Sequence, residues 1–125
     1  ELKTKLWMAP PTKMDEKKLI DEGFYEIYKN VGVKTEMPGC SLCMGNQARV
    51  QDNASVLSTS TRNFPNRLGK GANVYLASAE LSAITAIQGK IPDFETYMSY
   101  YGKIENEKNT IFNYMNFDKI NEYYN

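Results

Sequence analysis

Between Lys5 and Met37 the apolar residues change period twice, and this change restricts the fold more than any other feature of the chain. Lys5-Leu6-Trp7-Met8-Ala9 reads as a short strand that Pro10 and Pro11 stop. Ile20, Phe24, Ile27, Tyr28 and Val31 then fall at i, i+4, i+7, i+8 and i+11, which is one face of a helix expected from Asp15 to Val31. Asp15 and Glu16 suit the positive end of that helix, and Gly32 suits its C-terminal cap. Val33, Thr35 and Met37 alternate with Lys34 and Glu36, the period of a strand. Strand, helix and strand within about thirty residues make a βαβ unit, which predicts a parallel pair with a right-handed crossover.

The same alternation continues downstream. Ala54 to Thr59 and Asn73 to Ala77 are strand candidates on either side of the polar segment Ser60 to Gly71. Ser78 reads as the N-cap of a helix through Leu81, Ile84 and Ile87 that stops near Gly89. Asp93 opens a further helix with Phe94, Tyr97, Met98 and Tyr101, and Ile111, Phe112, Tyr114, Met115 and Phe117 form an aromatic tail expected to pack. This order predicts an α/β layered fold, a mainly parallel sheet flanked by helices. The 125 residues suffice for one domain, with residues 91–125 as a helical, aromatic tail. In such sheets ligands bind beyond the carboxyl ends of the strands. The loops after Met37 and after Thr59 are therefore the expected site, on one shared edge.

Composition removes several classes of chemistry. The chain has no histidine, so it cannot by itself supply a Ser-His-Asp triad, a Cys-His pair or a histidine metal site. Fifteen basic residues balance fifteen acidic ones, and no global field draws in nucleic acid or an anionic membrane. No apolar run approaches the roughly 18–20 residues of a membrane helix. The chain opens at Glu1 without a basic-then-apolar leader, so no secretory signal is expected. The missing initiator Met fits a processed chain or a piece of a longer one.

Two constellations carry chemistry. Cys40 and Cys43 form a C-x-x-C with glycine on both sides, in Pro-Gly-Cys-Ser-Leu-Cys-Met-Gly. Four readings are open: a redox dithiol, half a zinc site, part of an iron–sulfur site, or two packed thiols. Zinc wants four ligands, which this chain lacks, and the flanking glycines allow the close backbone approach that cluster sulfurs need. Twelve of the basic residues are lysine, and the three arginines, Arg49, Arg62 and Arg67, fall within nineteen residues. Arg62 and Arg67 sit in a loop, five apart, where two planar forks can converge on a di- or tricarboxylate. A phosphate or an RNA backbone competes as the anion. Gly69-Lys70-Gly71 is no Walker A motif, however, and no aromatic platform accompanies the loop.

Residues 38–50, Pro-Gly-Cys-Ser-Leu-Cys-Met-Gly-Asn-Gln-Ala-Arg-Val, resemble the cluster loop of the aconitase family. Residues 58–69, Ser-Thr-Ser-Thr-Arg-Asn-Phe-Pro-Asn-Arg-Leu-Gly, resemble its substrate-binding arginine loop, and Ala77 to Ala83 the helix start that follows. The wording is that of the bacterial B branch. The mitochondrial and iron-regulatory branches carry Asn where this chain has Thr61. Leu6 to Thr12 and Glu22 to Tyr25 also resemble that branch, so the likeness covers at least residues 5–90. The resemblance implies a C-terminal piece of a cytoplasmic hydro-lyase that interconverts citrate and isocitrate through cis-aconitate on a [4Fe-4S] cluster. It implies Cys40 and Cys43 as two of three cluster ligands, the third upstream of Glu1, with Arg62 and Arg67 gripping substrate carboxylates and Arg49 structural. It places the catalytic groups in other aconitase domains, so the isolated chain is expected to be inactive. RNA binding enters only as a family property. Two alternatives stand beside it: a non-catalytic cluster- or carboxylate-binding subunit of a split dehydratase, and a dithiol redox protein.

Overall fold

The computed structural model describes residues 2–43, 45 and 47–111. The chain divides into two compact units, residues 1–91 and 92–125. In the first, β1 (Trp7–Met8) is followed by α1 (Lys13–Asp21), α2 (Phe24–Val31) and β2 (Lys34–Thr35). After the thiol loop come β3 (Ser55–Ser58), β4 (Asn73–Leu76) and α3 (Ala79–Gln88). The second unit holds α4 (Phe94–Asn106) and α5 (Lys108–Ile111). Phe112, Tyr114, Met115 and Phe117 of the expected aromatic tail lie outside the described residues.

The α/β character and the parallel pairing agree with expectation, but the pairing is distributed over two ladders. β1 pairs in parallel with β2, Trp7 opposite Lys34 and Met8 opposite Thr35. β3 pairs in parallel with β4, from Ser55 opposite Asn73 to Ser58 opposite Leu76. Among the described residues no strand joins the two ladders into one sheet. Each ladder ends in a loop that extends it. Glu36 N–H donates to Met8 O at 2.8 Å and Gly39 N–H to Pro10 O at 2.9 Å beyond the first. Ala77 N–H donates to Ser58 O at 2.9 Å beyond the second.

The helix expected from Asp15 to Val31 is two helices. Gly23 takes φ +81°, a left-handed conformation that ends the hydrogen-bond ladder and starts a new one. The break changes which side faces inward. Tyr25 and Tyr28 are half-buried and meet edge to face, with ring centroids 5.9 Å apart, whereas Ile20 and Ile27 remain largely exposed. The helix ends themselves follow local chemistry. Thr12 Oγ1 accepts from Asp15 N–H at 3.2 Å, Ser78 Oγ from Leu81 N–H at 3.3 Å and Asp93 Oδ1 from Thr96 N–H at 2.8 Å. Gly32 and Gly89 close α2 and α3 as left-handed C-terminal caps.

Among the described residues the apolar core of the first unit is small: Ala48, Leu68, Ile84 and Ala86 are buried, and the one charged residue buried with them is Arg67. Val50 N–H donates to Leu68 O and Asn53 N–H to Lys70 O, each at 2.9 Å, so the segment leading into β3 is sewn to the end of the arginine loop. A capping contribution should show against so thin a core. Ser78→Ala is expected to lower unfolding free energy by about 1 kcal/mol in denaturant titration, and Ser78→Asp to restore most of it.

Candidate functional site

The site begins with the turn that β2 leads into. Ser41 Oγ donates to Met37 O, and Cys43 N–H donates to Cys40 O at 3.2 Å. This folds Cys40-Ser41-Leu42-Cys43 back on itself, with both thiols on one turn. Cys40 is exposed and Cys43 half-buried, both as free thiols. The Cys40 thiol bonded to it, together with burial, pushes the Cys43 thiol up from its ordinary value, while Arg62 and the Ser60 hydroxyl pull the other way. The turn is therefore in electrical contact with the loop that follows β3.

That loop returns to the turn through Arg67. The residue is 2% exposed. Nη1 donates to Cys43 O at 2.7 Å, and Nη2 donates to Ser58 Oγ, at the last residue of β3, at 3.0 Å. The backbone of the same residue is pinned by Arg67 N–H donating to Phe64 O at 3.2 Å. Nε has no hydrogen-bond partner, and no carboxylate among the described residues pairs with the buried charge. Gly45 closes the junction from the thiol side. Its φ is +71°, and a Cβ there would collide with the carbonyl of Arg67.

The two loops thus meet, and the reason differs from a shared sheet edge. They extend different ladders and are joined by one side chain crossing between them. Arg62 is exposed, and its N–H donates to Ser60 Oγ at 3.2 Å. Arg67 is buried, with both terminal nitrogens bonded to protein. Arg49 is exposed and takes no part in the bonds that join the loops. An open groove of about 350 Å³ lies along Asn63 to Pro65 and Ala72 to Tyr75, and it includes neither thiol and none of the three arginines. The thiol pair, with its unpaired buried cation behind it, is the stronger candidate site. Ser58 is the residue that sequence reasoning missed, and at Gly45 it missed the neighbour. The expected value of Gly45 was close approach to sulfur, and its actual neighbour is the Arg67 carbonyl.

The donor set suits two ligands of an iron–sulfur group: two thiols on one turn, one edge open, with flanking glycine. It does not suit a complete metal site, because no three His, Cys, Asp or Glu side chains cluster among the described residues. The dithiol redox alternative wants the first cysteine at a helix start, and the next helix after this turn is α3. Among the described residues no helix is long and apolar enough to cross a membrane.

The sequence matches the profile of the aconitase family (aconitate hydratase) over residues 1–89, which contain both loops. It is 54% identical over 123 residues to aconitate hydratase B of Escherichia coli (strain K12), covering 98% of this chain. It is 57% identical over 120 residues to aconitate hydratase B of Pseudomonas aeruginosa, covering 96% of this chain. The chain spans 14% of the length of each of these two relatives. A 3-isopropylmalate dehydratase large subunit of Staphylococcus aureus (strain JH9) is 39% identical over 87 residues, covering 69% of this chain and 19% of that protein.

The junction makes a specific demand at Gly45. Gly45→Ala is expected to cost about 1–3 kcal/mol, since the new methyl meets backbone that cannot swing aside. Gly102→Ala, in α4 with open space around it, is expected to be neutral or slightly stabilising. Denaturant midpoints of the two variants make the comparison.

Proposed function

The chain belongs to the aconitase family, and from that membership we propose that it forms the cluster- and carboxylate-binding part of a cytoplasmic hydro-lyase. In this reading the intact protein interconverts citrate and isocitrate through cis-aconitate. Cys40 and Cys43 supply two thiolates to a [4Fe-4S] cluster, and the remaining cysteine ligand comes from outside these 125 residues. When bound, the cluster supplies Lewis acidity toward a substrate hydroxyl. One observation carries the reading: a buried guanidinium, Arg67, directly behind a two-thiol turn and unmatched by any described carboxylate.

A buried unpaired cation is costly, and an anionic ligand offsets that cost. Arg67 presents five N–H donors, of which the loop bonds use two, and its Nε is unpartnered. Arg62, exposed on the same loop, takes a substrate carboxylate in this reading. Together the two arginines provide positive charge where removal of a proton beside a carboxylate builds negative charge. The chain contains no histidine, and the groups that move the proton are assigned to other domains of the intact protein. These 125 residues alone are then inactive.

Three measurements test this. Cys40→Ser and Cys43→Ser in the intact protein are each expected to abolish stable iron and sulfide incorporation. Arg62→Lys is expected to load normally yet lose about ten- to a hundredfold in kcat/KM for citrate, the loss of one bidentate contact. The 125-residue chain alone should not convert citrate. Full iron–sulfur content in both serine variants would refute the ligand assignment, and wild-type kinetics in Arg62→Lys would remove it from the site.

A further inference from the structure

We propose that the apolar stripe of α4 is a docking face, covered in the intact protein by a segment from the portion that the 3-isopropylmalate dehydratase large subunit lacks. The inference rests on the proposed function only in taking the chain as part of a longer protein. None of the thirteen residues of α4 is buried. Phe94, Tyr97, Met98 and Tyr101 fall at i, i+3, i+4 and i+7, which is one stripe of the helix, and Glu95, Ser99 and Lys103 occupy the side away from it. Tyr97 and Tyr101 are half-buried and stack on each other, with ring centroids 5.8 Å apart. Phe94 and Met98 beside them are 76% and 42% exposed. Helices in proteins are held mainly by burying such a stripe, and Gly102 and the three tyrosines of α4 are weak helix formers.

The extents of the likenesses point to what covers the stripe. The first compact unit ends at Ile91, and the aconitase profile ends at residue 89, so α4 lies beyond both. The likeness to the dehydratase large subunit spans 87 residues, fewer than the first unit contains. The likeness to aconitate hydratase B of Escherichia coli spans 123 residues and therefore includes α4. Since 87 residues are 19% of the dehydratase subunit and 123 are 14% of the hydratase, the hydratase is about twice as long. α4 thus goes with the longer form, and its apolar stripe finds its partner in the protein that the shorter form does without. Charge favours a protein partner over a lipid surface. Glu95 and Glu105 outnumber Lys103 on α4, whereas helices that lie on membranes are rich in Lys and Arg.

Cross-linking in the intact protein identifies the occupant. Phe94, on the stripe, and Ser99, on the polar side, are replaced in turn by the photoreactive p-benzoylphenylalanine, and cross-linked peptides are mapped by mass spectrometry. Position 94 is expected to capture peptides from the portion without a counterpart in the dehydratase subunit, and position 99 to capture none of them. Capture of residues 112–125, of a second copy of the chain or of the dehydratase-like portion overturns the proposal, as does no capture at all. A second measurement follows trypsin cleavage in Met98→Glu and Ser99→Glu. Met98→Glu is expected to speed cleavage after Lys103 and Lys108 about tenfold and to leave cleavage after Lys18 of α1 unchanged, while Ser99→Glu stays near the wild-type rate. An unchanged rate in Met98→Glu, or an equal rise at Lys18, also overturns the docking face. Iron and sulfide content and citrate conversion of the wild-type protein are read apart. Their absence refutes the proposed function, while the cross-link map still judges the docking face.

Discussion

The buried guanidinium of Arg67 is the interaction on which the rest of this structure depends. Removing a cation from water costs on the order of several kcal/mol, and the cost is tolerated only when hydrogen bonds replace hydration. Here two charge-assisted bonds do so, to Cys43 O and to Ser58 Oγ. They also determine where the loops lie. The thiol turn extends the β1–β2 ladder and the arginine loop extends the β3–β4 ladder, and no strand among the described residues connects the two. Among the described residues the buried hydrophobic core is small, chiefly Ala48, Leu68, Ile84 and Ala86, so hydrophobic packing is a weak alternative for bringing those loops together.

In the proposed function the same interaction would let one short chain contribute to both halves of a site. A dehydration that begins by taking a proton beside a carboxylate needs a Lewis acid at the departing hydroxyl and positive charge at the carboxylate. Two thiols on a turn suit the first, and two arginines on an adjacent loop suit the second. Placing one arginine behind the turn links them mechanically. The residual donors of Arg67, including its unpartnered Nε, leave the loop junction short of full satisfaction. Such a shortfall fits a site that meets an anionic ligand better than a purely structural knot.

Much of this was legible in the chain. Helix ends were readable from Ser78, Asp93, Gly32 and Gly89 because capping is local: a side-chain oxygen reaches a backbone N–H three residues on, and a glycine accepts a left-handed turn. The parallel pairing of the first two strands was readable because a strand–helix–strand run leaves few other topologies. The break at Gly23 was not read. Apolar spacing continues across it, and glycine is tolerated in many helices, so only the left-handed φ of Gly23 reveals two helices with a rotated face.

The sequence by itself determined the types of chemistry. Two cysteines on one short turn, two arginines on one loop and the absence of histidine are facts of composition and spacing. They bound the ligands and exclude most acid–base schemes before any folding is considered. Only the tertiary structure decided that Arg67 is buried and Arg62 is not, that Ser58 is a partner, and that Gly45 abuts the Arg67 carbonyl. The physical reason is range. Capping and periodicity act over three or four residues, whereas the tie from Arg67 to Cys43 spans 24 residues between separate ladders, and no local preference encodes it.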